Sequence, residues 1–311
     1  MELDLSKTIL VTHKGCQDGS ACAILFLAAG GKKENIYFTN PSHEETDFLL
    51  SELIQYRDTD IMLVDVSCST EMAKYIEKSI FANNVTILDH HKSAASLNNF
   101  PFCVVDESGL NCGSKIFYDW ILKYVSNLTK LLRYKELVKL TNDVDLWQHN
   151  YPESRELADF HKILGQELFI ERFVKNPNSD LSCQESYLTT IYNKKREIET
   201  ANRKKNIKKF VKTINGVNYN FAILFTHGAD QSLLGHAITD DPSMDVDVVI
   251  LINGNNVSLR CKDSCVLDLS ELAQRFGGGG HKKASSFSLG KLFIFNKDFL
   301  EIIVDNFIEK T

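Results

Sequence analysis

The stretch Val85-Thr86-Ile87-Leu88-Asp89-His90-His91 decides how the rest of this chain is read. An apolar, β-branched run passes abruptly into a carboxylate and two imidazoles, which predicts a buried strand that delivers polar ligands at its C-terminal end. The bland alternative is a polar cap on a solvated turn. Two other runs weigh against it: residues 8–12 (Thr-Ile-Leu-Val-Thr) lead into His13 and, five residues on, Asp18-Gly19, and residues 60–64 (Asp-Ile-Met-Leu-Val) lead into Asp65. In an open parallel sheet the ligand crevice lies outside the carboxyl ends of the strands, so three such ends would gather their imidazoles and carboxylates in one place.

Working outward, residues 8–105 alternate short apolar runs with longer amphipathic ones. Strands are expected at 8–12, 35–38, 60–64, 85–88 and 102–105, and helices at 19–29, 44–53 and 70–80. This βαβ rhythm predicts an α/β fold with a parallel, doubly wound sheet. The helix at 19–29 is small and apolar on all sides, as a helix packed tightly on a sheet must be. Residues 109–175 read as a helical cap, with Ile116, Phe117, Trp120, Ile121 and Tyr124 at three- and four-residue spacing. A long amphipathic segment over 184–212 reads as a connecting helix. Between Lys194 and Lys212 it holds nine basic residues against two glutamates, either a solvated face or a positive wall facing a polyanion. Beyond it, strands at 218–225, 246–252 and 257–261, helices at 232–239 and 268–276, a glycine-rich turn and a closing helix at 297–308 predict a second, smaller α/β domain. The expected division is therefore 1–183, a connecting helix 184–212, and 213–311.

The length of 311 residues suits two domains. With 43% hydrophobic and 24% charged residues the composition is that of a soluble globular protein, and no apolar run nears the ~18 residues of a membrane span. The acidic start Met1-Glu2-Leu3-Asp4 is unlike a secretory signal, which predicts a cytoplasmic protein. A net charge of -6 excludes a broadly basic, nucleic-acid-coating surface, so any nucleic-acid contact is local. Eight cysteines are scattered with no Cys-x-x-Cys pair, as expected of small buried hydrophobes in a reducing compartment. Cys261 and Cys265 are close enough for zinc, but no second pair accompanies them.

Divalent manganese accepts mixed imidazole and carboxylate ligands, and two such ions about 3.5–4 Å apart can bind both the attacking and the leaving oxygen of a phosphoryl displacement. That site needs a bridging carboxylate, and Asp65, ending a central strand, is the candidate. Downstream, Arg275-Phe276-Gly277-Gly278-Gly279-Gly280-His281-Lys282-Lys283 places a glycine loop and cations after a helix, where backbone N–H groups and charge can meet a phosphate. Arg260, on the strand before it, offers the planar two-pronged donor that phosphate favours.

Taken together, the Asp89-His90-His91 triplet, the upstream Asp18-Gly19, the strand-end Asp65 and the Gly-Gly-Gly-Gly-His run resemble the DHH phosphoesterase family with its C-terminal DHH-associated domain. The likeness points to the nanoRNase, or oligoribonuclease-like, branch and covers nearly the whole chain. The resemblance implies metal ligands at His13, Asp18, Asp65 and His90, with a fourth motif at Asn142-Asp143-Val144-Asp145 in which Asp143 is taken as ligand and Asp145 as its support. It gives His91 to the scissile phosphate, with Asp89 beside it as the second catalytic residue. It gives Arg260, Gly278, Gly279, Gly280 and His281 to substrate binding. There is one departure: relatives carry a histidine and two aspartates in the first motif, whereas His13-Lys14-Gly15-Cys16-Gln17-Asp18 has a single aspartate. Cys16 is either a replacement ligand or a small residue in a tight turn.

The activity so implied is a phosphodiesterase that hydrolyses short oligonucleotides or dinucleotides to nucleoside monophosphates through two Mn2+ ions, with Mg2+ or Co2+ as substitutes. A RecJ-like single-strand exonuclease, a cyclic-nucleotide or nucleotide phosphatase, and a regulator that binds nucleotides without turnover are the alternatives. No membrane partner is expected, and a homodimer is left open.

Overall fold

The computed structural model describes residues 4–56, 59–79, 84–124, 128–226 and 229–289. The helix expected at 297–308 lies outside them. The chain divides into two compact units, Met1–Asn193 and Lys194–Thr311.

The first unit runs β1 (Thr8–His13), α1 (Gln17–Ala28), β2 (Ile36–Thr39), α2 (His43–Leu53), β3 (Asp60–Val64), α3 (Thr70–Glu77), β4 (Val85–Asp89), β5 (Cys103–Val105), α4 (Gly113–Tyr124), α5 (Leu128–Leu132), α6 (Lys135–Asp145), α7 (Pro152–Lys175) and α8 (Cys183–Arg203). The α/β sheet expected from the sequence is present: five strands in the order β2-β1-β3-β4-β5, every neighbour parallel. Because side chains alternate along a strand, Leu10, Met62, Val64 and Leu88 enter one core while Ile9, Val11, Ile61, Leu63 and Ile87 enter the other. Both faces are covered, which is why these strands read as unbroken apolar runs. Residues of α1, α4, α6 and α7 close the first face, and residues of α2 and α3 the second. The order reverses at β1, where β2 lies to one side and β3 to the other. A crevice for ligands therefore opens beyond the carboxyl ends of β1 and β3.

Helix α1 is buried from Gln17 through Phe26. A Cβ at Gly19 would stand 2.1 Å from the His13 carbonyl oxygen, so only glycine allows the helix to start this close to the end of β1. Helix α7 is broken at Gly165, whose φ of 73° is open to glycine without strain.

The second unit contains the end of α8 and then β6 (Lys208–Ile214), β7 (Val217–Phe225), α9 (Gln231–Thr239), β8 (Val248–Asn253), β9 (Asn256–Cys261), α10 (Leu269–Gln274), β10 (Gly279–Gly280) and β11 (Ala284–Ser288). Its six-stranded sheet runs β10-β11-β9-β8-β7-β6 and is antiparallel except between β7 and β8. Apolar residues of α10 pack on one face and those of α9 on the other. Cys261 and Cys265 lie in the first of these cores, and neither joins a metal-holding group among the described residues.

The single helix expected over 184–212 is not found: α8 ends at Arg203, and Lys208–Ile214 turns into edge strand β6. Its basic residues are divided accordingly, and four of the nine pair locally as follows. Arg196 meets Asp230, Arg203 meets Glu199, Lys204 meets Asp241 at 2.6 Å, and Lys209 donates to the Met244 carbonyl. Lysines along an edge strand also discourage a second chain from pairing there. Among the described residues no helix is long and apolar enough to cross a membrane.

Behind the first sheet, Ser20 and His161 form a buried pair whose tautomer is fixed by counting protons. The Ser20 hydroxyl donates to the Cys16 carbonyl at 2.8 Å, so in its 2.9 Å contact with His161 Nε2 it accepts. His161 Nε2 therefore carries a proton. Burial, and then the charge of Lys162, pull its pKa from 6.5 down to about 4. The unfolded chain binds this proton more readily than the folded one, so stability is intact above about pH 6.5 and declines as the pH falls toward 4, by about 3 kcal/mol in all. His161→Gln keeps an N–H donor but cannot titrate. Urea unfolding between pH 7 and 4 should show a flatter acid limb for the variant, and parallel limbs would refute the assignment.

Candidate metal centre

Each strand end contributes one part of the centre. His13 closes β1, Asp65 follows β3, and Asp89-His90-His91 closes β4. Asp65 adopts φ 63°, a left-handed conformation uncommon outside glycine and asparagine, with its amide held by the Leu88 carbonyl at 3.0 Å. This turn divides the carboxylate between two neighbourhoods. Oδ1 lies 3.2 Å from His90 Nε2, while Oδ2 lies 3.6 Å from His13 Nδ1 and 3.4 Å from Cys16 Sγ.

Asp18 sits in the first turn of α1 and is 1% exposed. Its Oδ1 accepts from the Ser114 amide and the Cys112 thiol, both at 3.0 Å, so the start of α4 holds one oxygen and aims the other at His90 Nε2, 4.0 Å away. The approach of α4 depends on Gly113, where a Cβ would stand 2.5 Å from the Asp65 Cβ.

The expected choice of Asp143 is where the structure departs from the sequence. Asp143 Oδ1 accepts from the Asn150 amide at 2.8 Å, and its Oδ2 from the Ser154 hydroxyl and the Tyr151 amide, so this carboxylate secures the loop between α6 and α7. Asp145, two residues on and so on the opposite side of the helix, brings its Oδ2 to 3.6 Å from His90 Nε2. The cluster contains Asp145, with Asp143 behind it.

Asp89 is fully buried, and its Oδ1 gathers three donors: the His90 amide at 2.8 Å, the His91 amide at 3.3 Å and His91 Nδ1 at 2.7 Å. Burial disfavours its charge, but the charge and hydrogen bond of His91 outweigh that and bring Asp89 to about 2. In return, although burial opposes the imidazolium of His91, Asp89 raises its pKa. His90 is likewise lifted against burial to about 10 by its bond to Asp65 and by Asp145. Asp65 is held below the usual range by His13 and His90, which overcome its own desolvation. Asp18 moves the other way, because burial, Asp65 and Asp145 all disfavour its charge.

These features fit a divalent cation. Asp18 Oδ2 and Asp89 Oδ2 are buried without a hydrogen-bond partner, a costly state for a carboxylate that a cation would relieve. Ligand atoms of Asp18, His90 and Asp145 lie within 4.8 Å of one another, as do those of His13, Cys16 and Asp65. Imidazole with carboxylate suits manganese and its neighbours.

The other expected residues belong to the second unit. Arg260 on β9 donates to the Ser232 hydroxyl at 3.0 Å and to the Leu259 carbonyl at 2.8 Å. Gly235 gives it room, since a Cβ there would stand 2.6 Å from the Arg260 Cγ. The glycine run is more ordered than the flexible turn its composition suggests: Gly279 and Gly280 form β10, opposite Ser286 and Ser285. The amides of Gly277, Gly278 and His281 donate to Gln274, Ala273 and Ala284, and Lys283 turns to carbonyls of 262–265. Sequence reasoning missed Gln166, which pins the first motif by accepting from the Gly15 amide at 3.1 Å and donating to the His13 carbonyl at 3.3 Å. It also missed Cys112 and Gly113. The end of β5, a fourth strand end followed by small residues, was the available signal for those two.

No family model matches the chain. Solved structures place its architecture: the DHH domain of a protein described as a member of a ribosomal-protein family superposes with a TM-score of 0.63 at 15% identity, covering 98% of this chain and 87% of that one. The chain therefore shares the fold of that DHH domain, and it carries its own Asp-His-His triplet at the end of β4. RecJ from Thermus thermophilus, solved in complex with Mn2+, gives a TM-score of 0.53 at 13% identity, covering 97% of this chain but 51% of RecJ. In sequence, the chain is similar to the oligoribonuclease NrnB of Bacillus subtilis (strain 168), 23% identical over 290 residues, which is 88% of this chain and 70% of NrnB.

Proposed function

We propose that the protein is a metal-dependent phosphodiesterase that hydrolyses dinucleotides and short oligonucleotides to nucleoside monophosphates. The observation that carries this reading is the division of Asp65 between two ligand groups, Oδ1 toward His90 and Oδ2 toward His13 and Cys16, as a carboxylate shared by two cations requires. Asp18, His90 and Asp145 would hold one ion, and His13 with Asp65 the other. Mn2+ is the expected ion, with Mg2+ or Co2+ as substitutes. When bound, the ions supply Lewis-acid stabilisation of the charge that develops in phosphoryl displacement.

The chain's own residues do the rest. Asp89 fixes His91 through Nδ1 and favours its imidazolium, which is thereby oriented to donate to a phosphate oxygen. Arg260 and the 278–281 run contribute substrate contacts in this reading.

Short substrates are favoured because much of the basic run over 194–212 is committed to local acids and carbonyls, so it offers no continuous track for a long strand. Rates measured in Mn2+ across a length series, from a dinucleotide to a strand of roughly two dozen nucleotides, should be highest for about two to five nucleotides and depend only modestly on salt. In Arg260→Ala, kcat/KM should fall for the dinucleotide and be spared for a small aryl phosphodiester. Fastest, processive degradation of the longest strand would replace this reading with a RecJ-like exonuclease.

A further inference from the structure

We propose that Cys16 is a thiolate ligand, and that the His13–Cys16–Asp65 side of the centre prefers a thiophilic divalent ion such as Zn2+ over Mn2+. This rests on the metal-binding reading above and goes beyond it by making the two sides chemically unequal. Cys16 Sγ and His13 Nδ1 both face one oxygen, Asp65 Oδ2, and the three ligand atoms lie within 4.8 Å of one another. A second observation points independently to a cation beside this group: in the adjoining Asp18–His90–Asp145 group, whose His90 also meets Asp65, Asp18 Oδ2 is buried on a residue 1% exposed and has no hydrogen-bond partner.

Helix capping does not account for a cysteine here. Cys16 is the N-cap of α1 and its sulfur accepts from the Gly19 amide at 3.1 Å, but sulfur is a weak acceptor where serine, threonine, aspartate or asparagine serve better. Nor is the other nearby thiol equivalent. Cys112 is fully buried and donates to Asp18 Oδ1, bracing that ligand from behind. In the proposed step the Cys16 S–H bond breaks as the metal–sulfur bond forms, and the proton passes to solvent with no change of oxidation state. A thiolate in place of a carboxylate retains the negative charge but shifts the preference toward softer ions, since carboxylates suit Mg2+ and Mn2+ whereas thiolates suit Zn2+.

Cobalt(II) added to the metal-stripped full-length protein provides a readout independent of turnover. The wild type should develop a near-ultraviolet sulfur-to-cobalt charge-transfer band. Cys16→Ser, which keeps a hydroxyl at the cap, and Cys16→Asp should both bind cobalt without that band. After dialysis against equimolar Zn2+ and Mn2+, the retained Zn:Mn ratio should fall roughly tenfold or more in Cys16→Asp. If the variants fail to fold, the wild type alone suffices, because bound metal should protect Cys16 from iodoacetamide as mapped by mass spectrometry. Cobalt binding without the band, or equal labelling of Cys16 with and without metal, overturns the ligand assignment and leaves the metal centre standing. No cobalt binding by the wild type overturns both.

Discussion

Asp65→Ala should abolish hydrolysis, lowering kcat/KM at least about a thousandfold, equivalent to about 4 kcal/mol of transition-state stabilisation. The expectation follows from position: the carboxylate faces His90 with one oxygen and His13 and Cys16 with the other, so its removal takes a ligand from both groups at once. The fold should survive, because Asp65 lies beyond the last residue of β3 and its contribution is electrostatic, not apolar. Its φ of 63° makes Asn a useful companion, since Asn tolerates that conformation better than Ala. Metal content by mass spectrometry, thermal melting and turnover of a dinucleotide check the three parts. Activity within tenfold of the wild type removes Asp65 from the centre of the mechanism.

Gly113→Ala should be nearly as damaging although it deletes no functional group. The new methyl would lie 2.5 Å from the Asp65 Cβ, 2.9 Å from its Cα and 3.0 Å from Asp18 Oδ2. None of these can yield cheaply, since the Asp65 amide is bonded to Leu88 and Asp18 Oδ1 to the start of α4. A forced backbone shift of this kind typically costs about 1–3 kcal/mol of stability. A displacement near 1 Å at the ligands costs roughly a hundredfold in rate. The decisive measurement is kcat at saturating metal: the loss should persist there, because the ligands are misplaced and not merely weakened. Full recovery with excess Mn2+ would argue that only affinity had changed.

The strand ends were legible because a parallel strand covered on both faces must be apolar throughout, so the first carboxylate or imidazole after Leu88 or Val64 announces where burial stops. The phase of α6 was not. Asp143 and Asp145 are two residues apart in a helix, hence on opposite sides, and nothing local tells which side meets β4. That choice is made by packing, for instance by Gln17 donating to Thr141 at 2.9 Å. Strand β6 was missed because Lys208, Lys209 and Lys212 continue the basic spacing of α8, while the inward Phe210 and Ile214 are too few to announce a strand. Strand β11 had the right alternation, Ser285 and Phe287 inward against Ser286 and Ser288 outward, hidden by its serine-rich composition. The glycine run misled in the opposite sense, since loop-forming residues were recruited into a ladder where Gly278 and Gly280 alone allow close approach to β11.

The break at Gly165 lets Gln166 leave the line of its helix and grip the His13 loop from both sides, a link across about half the chain's length. For protein engineering this means that residues 13–18 are not a portable cassette. A first motif transplanted from another sheet would arrive without its clamp, and a deletion within α7 would loosen ligands it never touches. The recognisable signature and the inconspicuous glutamine are one module, although in sequence they are strangers.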